Sequence, residues 1–131
     1  RAFVTANQCN EALEPGHIPL DFILKNVSHV HFASFFCCSK LTGEGMRALF
    51  REMRRNGITV SMDPQTDAED KWDVPELWEM LKEIDIFLPN SNEACLICRE
   101  SDDLAALAKL CRAMPQGNPL LFCVVFEKTH H

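Results

Sequence analysis

Short apolar runs, each closed by a turn residue and separated by a helical pattern, constrain this chain more than any other feature. Residues 27–34, 58–62 and 86–88 are too short for buried helices. They carry β-favouring side chains such as Val27, Val30, Phe32, Ile58, Val60 and Ile86. Residues 120–126 form a fourth run without polar alternation, the pattern of a strand buried on both faces. Residues 1–6 read as a further strand. Between the runs, Met46, Leu49, Phe50 and Met53 fall at i, i+3, i+4 and i+7, and Val74, Leu77, Trp78 and Leu81 repeat that spacing. A short helix is expected over 18–24. Two more are expected at 91–98 and 102–114, the last faced by Leu104, Leu107, Ala108 and Cys111. The order strand, helix, strand, helix, strand, helix, helix, strand predicts an α/β fold: three layers, α/β/α, with a mainly parallel sheet joined by right-handed crossovers.

Local signals set the expected element ends. Thr42 is placed to cap the helix that Asn56-Gly57 terminates. Asp73 is placed to cap the next, with Pro75 in its first turn, and Ser101 to cap the last. Residues 63–73 are acidic and aperiodic, hence a loop.

Ligands of such sheets sit outside the carboxyl ends of the strands. The residues to examine are therefore Ser34, Asp63, and Asn90 with Glu93, one set at the carboxyl end of each of the first three runs. Residues 86–94 read as a strand, a proline stop and an Asn-x-x-Glu at a helix start. An amide and a carboxylate then lie beside the N–H groups of a helix N-terminus, where phosphates and their magnesium are commonly held. The same spacing is a capping box that needs no ligand, and one residue pair can serve both purposes. Asp63, before Pro64, fits a turn-forming acid. It equally fits a group that holds a sugar hydroxyl or a water on magnesium.

Other candidates point to structure. His29 and His31 share one strand face without an evident third metal ligand, as expected of a half-buried, hydrogen-bonded pair. Thr42-Gly43-Glu44-Gly45 lacks the Lys-Ser/Thr of a P-loop and the full GxGxxG. Cys95-x-x-Cys98 lies within a helical pattern, where the thiols pack as small apolar groups. Seven cysteines and no secretory leader argue against a disulfide framework. Arg47, Arg51, Arg54 and Arg55 share a helix with Glu44 and Glu52. With a net charge of −6, they read as a solvated face rather than a nucleic-acid surface. No apolar run approaches the ~20 residues of a membrane span. The expectation is a cytoplasmic protein that binds neither membrane nor nucleic acid.

Three segments carry a resemblance: Val30-His31-Phe32-Ala33-Ser34, residues 57–64 ending in Met62-Asp63-Pro64, and residues 85–94 containing Leu88-Pro89-Asn90-x-x-Glu93. In order and in gaps they resemble the central part of ribokinase-like (PfkB-type) carbohydrate kinases. Residues 1–5 are similar to that family's strand leading back from its lid. The resemblance covers nearly the whole chain but only the middle of the family's fold, and Leu-Pro-Asn-x-x-Glu is its specific part. It implies a Rossmann-like, partial ribokinase-like domain spanning residues 1–131. It also implies ATP-dependent phosphoryl transfer to a sugar or nucleoside hydroxyl, with ATP and Mg2+ as cofactors. Carried over residue by residue, Asn90 lies near the phosphates and Glu93 organises magnesium, largely through water. Asp63 lies beside the transfer region and Ser34 faces the acceptor.

The departures shape the expectation as much as the matches. The family's early glycine pair, its sugar-gripping residues and its glycine-rich anion hole with the aspartate base are not matched in these 131 residues. Residues 127–131 replace the usual Thr/Lys-x-Gly turn. Ala33 stands where relatives often have Gly, and Gln65 where some sugar-acid kinases have Asn. A domain lacking its N-terminal substrate segment and its C-terminal anion-hole segment is expected to be inactive alone, with no catalytic base of its own. The resemblance also admits a homodimer, since the family often pairs subunits through an edge or lid strand. The alternative reading is a non-catalytic α/β interaction module derived from a kinase fold.

Overall fold

The structure, a computed structural model, describes residues 9–115. The strands expected at 1–6 and 120–126, and all but the first residue of the turn at 115–119, lie outside the described residues. The elements run α1 (Cys9–Ala12), α2 (Leu20–Asn26), β1 (His29–Phe32), α3 (Glu44–Arg55), β2 (Thr59–Met62), α4 (Pro75–Leu81), β3 (Ile86–Phe87), α5 (Ser91–Cys98) and α6 (Asp103–Ala113). Single 3-10 turns at Pro15–His17, Phe35–Cys37 and Ser39–Leu41 join them.

Among the described residues the sheet has the order β1-β2-β3, with both pairings parallel. His29 lies opposite Thr59 and Phe32 opposite Met62, while Met62 lies opposite Phe87. The expected α/β class with a parallel sheet is what forms. β1 is shorter than its apolar run for a local reason at each end. Val27 closes α2, its N–H bonded to the Ile23 carbonyl, and Ser34 turns into the left-handed region at φ 71°.

Period-two alternation gives the sheet two unlike faces. Phe32, Val60, Met62 and Phe87 are buried in one core with Met46, Phe50 and Met53 of α3, and the Phe32 and Phe50 rings lie 6.0 Å apart. This is the helix face that the i, i+3, i+4, i+7 spacing predicts. The opposite face carries His29, His31, Thr59 and Ser61. Its histidines are exposed rather than half-buried, and they are hydrogen-bonded as expected. The Thr59 hydroxyl donates to the Ser28 carbonyl, so His29 Nδ1 donates to Thr59 at 2.6 Å. His29 Nε2 then accepts from Ser61 Oγ at 2.8 Å, and Ser61 accepts from His31 Nδ1 at 2.7 Å.

The amino-terminal end of the sheet is clamped by Asp85, which accepts from the Val60 N–H at 2.8 Å and from Arg54 Nε at 3.1 Å. The other arginines of α3 are also paired: Arg47 with Glu44, Arg51 with Glu44 and Glu83, and Arg55 with Glu52.

Several helix details differ from the sequence reading. Gly43 is the N-cap of α3, because Thr42 turns its hydroxyl back to the Ser39 carbonyl. Val74 is the N-cap of α4, because the Asp73 carboxylate is taken by Trp78 Nε1 and Arg99 Nε. Asp102, not Ser101, caps α6 by accepting from the Ala105 N–H at 2.9 Å. The expected face of α6 is also wrong. Ala106 and Leu110 are buried, whereas Leu104 is 70% exposed and Ala108 and Cys111 face outward. The α5–α6 contact decides this: the small Ala106 lets α6 approach α5, where its carbonyl accepts from Cys98 Sγ.

Candidate functional site

The parallel register lines up the residues that follow each strand. After Phe32, Met62 and Phe87 the ladder continues for one more step: Asp63 N–H bonds to the Phe32 carbonyl at 3.0 Å and Leu88 N–H to the Met62 carbonyl at 2.9 Å. Phe35 N–H then returns to the Asp63 carbonyl at 3.1 Å and Phe36 N–H to that of Pro64 at 3.1 Å. The chain after Ser34 is thereby stitched to Asp63. The segment leading to Asn90 leaves the sheet beside them, on the same rim.

Asn90 and Glu93 form a reciprocal capping box at the start of α5. Asn90 Oδ1 accepts from the Glu93 N–H at 2.9 Å, and Glu93 Oε2 accepts from the Asn90 N–H at 3.0 Å. Pro89 ends the strand and the box starts the helix, so the local sequence alone fixes both residues at the rim. The next layer holds the box in place. Ser91 Oγ donates to Asp103 of α6 at 2.6 Å and Cys95 Sγ to the same oxygen at 3.3 Å. Those two hydrogen bonds hold the Asp103 carboxyl below its ordinary range.

Asp63 is half-buried and organised by its own turn. Its Oδ1 accepts from the Gln65 N–H at 2.8 Å and its Oδ2 from Gln65 Nε2 at 3.3 Å, with Gln65 in the left-handed region at φ 56°. Ser34, also left-handed and half-buried, leads into the turn at Phe35–Cys37. The sequence reading missed Gln65 as the partner of Asp63. It also missed Asp67, which is buried and accepts from the N–H groups of Glu69, Lys71 and Trp72 at 2.8–2.9 Å. Asp67 gives the aperiodic 63–73 loop a fixed shape. The available signal was an acidic residue followed by several backbone donors, the local pattern of an Asx turn.

The thiols of Cys95-x-x-Cys98 point away from redox chemistry. Burial pushes Cys98 up to about 11, and burial and then the Asp103 contact raise Cys95. A thiol with a raised pKa is a poor nucleophile and a poor metal ligand at neutral pH. Among the described residues no three His, Cys, Asp or Glu side chains are grouped to hold a metal, and no helix is long and apolar enough to cross a membrane.

The rim thus presents Asn90 and Glu93 at the α5 N-terminus and Asp63 at the end of the neighbouring strand. Hard oxygen donors suit magnesium, usually with several waters retained. Backbone N–H groups at a helix start suit phosphate.

No protein-family model matches this sequence, and a search of curated proteins gives no significant match. Solved structures do match. A PfkB protein from Polaromonas sp. JS666 superposes with a TM-score of 0.59 at 17% identity, over 82% of this chain and 40% of that one. A putative Ribokinase II from E. coli, solved in complex with ATP and Mg2+, gives 0.58 at 25% identity over 79% of this chain and 34% of that one. Its apo form gives 0.58 at 24% identity over 82% of this chain and 37% of that one. The chain has part of the ribokinase-like α/β fold, and it spans between about a third and two-fifths of the length of these structures.

Proposed function

We propose that these residues are the central part of a PfkB-type carbohydrate kinase domain, which transfers a phosphoryl group from ATP to a sugar or nucleoside hydroxyl. In this reading Asn90 and the first turn of α5 lie at the nucleotide phosphates, and the Glu93 carboxylate holds a water of the magnesium ion. Asp63 and Ser34 face the acceptor. Phosphoryl transfer depends mostly on positioning and charge neutralisation, which suits a rim of acids and N–H donors. The supporting observation is the register that brings the ends of three parallel strands to one edge, in a fold shared with a Ribokinase II that was solved with ATP and Mg2+. The catalytic base and the anion hole are assigned to other parts of the longer domain. The 131 residues alone are therefore expected to be inactive.

The discriminating substitution is Glu93→Gln. Glutamine at N3 still completes a capping box, so the helix start is preserved while the carboxylate charge is lost. In the protein translated from the coding sequence extended on both sides, Glu93→Gln should raise the Mg2+ concentration needed for half-maximal ATP-dependent phosphorylation by about tenfold or more. An unchanged magnesium requirement would remove Glu93 from the site. Failure to phosphorylate any of a panel of sugars and nucleosides would sink the kinase reading. Calorimetry on the 131 residues alone should show no tight Mg·ATP binding.

A further inference from the structure

His29 and His31 stand on the sheet face turned away from the α3 core, and both rings are exposed. They share a polar partner. His29 Nε2 lies 2.8 Å and His31 Nδ1 2.7 Å from the same atom, the Oγ of Ser61, which is the ladder partner of His31 on β2. Two ring nitrogens from one strand therefore converge on a single point beside a hydroxyl oxygen.

Direction matters as much as distance. The other nitrogen of His29, Nδ1, donates to Thr59 Oγ1 at 2.6 Å, and Thr59 is itself tied to the Ser28 carbonyl. An outer hydrogen bond of that kind fixes the tautomer and leaves the inner nitrogen its lone pair, which is how a metal-ligating histidine is oriented. His29 Nε2 thus turns a lone pair toward Ser61. His31 Nδ1 carries a proton in the hydrogen-bonded state. Moving that proton to Nε2 through water turns a second lone pair to the same point, and the ring stays neutral. Because both rings are exposed, they can exchange a hydrogen bond for a metal bond without opening the core.

We propose that His29 and His31 chelate a borderline divalent transition-metal ion, with Ser61 Oγ as a third, weaker donor and water in the remaining positions. Imidazole suits Ni2+, Cu2+ and Zn2+, whereas Mg2+ takes oxygen donors. The site is therefore chemically distinct from the rim at Asp63, Asn90 and Glu93, and it stands independently of the kinase reading. With two nitrogen donors it is an exchangeable site, short of the protein ligand set of a structural or catalytic centre.

Ni2+ is the probe, since it does not oxidise thiols as Cu2+ does. The extended protein, with its histidine rings 13C-labelled, is titrated with Ni2+, and the signals of His29 and His31 are assigned by His29→Gln and His31→Gln. The two signals should broaden together in a single step, and Mg2+ at the same concentrations should leave both unmoved. Calorimetry should show that Ni2+ step abolished by either substitution. Thr59→Val keeps a β-favouring side chain and both histidines but removes the outer acceptor, and it should weaken the step about tenfold. Urea unfolding midpoints in EDTA should match across the variants, since the substituted side chains are exposed. Rings that broaden separately, a Ni2+ step that survives in His29→Gln or His31→Gln, or Mg2+ moving both rings at the same concentrations overturns the proposal.

Discussion

Asp85 and Asp63 are the same residue at opposite ends of the parallel sheet, and they are held in opposite ways. Asp85, just before β3, has a side chain only 7% exposed, and it joins three elements through Val60 N–H, Arg54 and its own N–H to the Val60 carbonyl. Asp63, just after β2, is half-exposed, and its carboxylate is held by Gln65 two residues on. A buried acid that is matched by a guanidinium and tied across elements is a fastener. An acid held by amide N–H groups of its own turn keeps its access to solvent. Of the two ends, the proposed function places its chemistry at the second.

Substitution at the two ends tests that contrast most severely. Asp85→Ala leaves Arg54 without its counter-charge and the Val60 N–H without its acceptor. It should cost about 3 kcal/mol or more in urea unfolding. Asp63→Asn keeps an oxygen for the Gln65 N–H and should cost under about 0.5 kcal/mol. Equal losses at the two positions would erase the distinction. A smaller effect sharpens it at Asn90. Asn90→Ala removes the N-cap acceptor and should cost about 1 kcal/mol, again read by urea unfolding. A loss near that of Asp85→Ala would mean that the rim is as much a fastener as the clamp.

The smallest effect concerns the thiols. The Cys98 pKa is raised from its ordinary 9.0 to about 11 by burial. The folded state therefore keeps that proton longer than the unfolded chain. Its contribution to stability is complete below pH 9 and is lost as the pH rises through about 11. Melting temperature should fall across that window and fall less in Cys98→Ala. At neutral pH a thiol reagent should label the exposed Cys9 and Cys37 well before Cys98.

What could be read beforehand was what short-range pattern controls. The three described strands followed from β-favouring runs with stops. The α3 face followed from a clean apolar stripe, and Asn90 and Glu93 from a three-residue spacing. The α6 face did not, because residues 104–111 are apolar nearly all round and only the contact with α5 selects Ala106 and Leu110. The Asp73 cap failed because Trp78 and Arg99, distant in sequence or a turn away, compete for its carboxylate. Gln65 and Asp67 were hidden in a loop with no period, where shape comes from side chains bonding to nearby backbone N–H groups.

The parallel pairing also bears on how the chain reaches this state. His29 and Thr59 are partners 30 residues apart, and Asp85 reaches Val60 across 25. No hairpin is present among the described strands to start the ladder locally, so each strand contact waits on closing a loop that contains a helix. Contacts of such long range slow folding. The transition state should then already contain α3 docked on its strands, with the Arg54–Asp85 clamp among the first long-range links to pull β2 and β3 together.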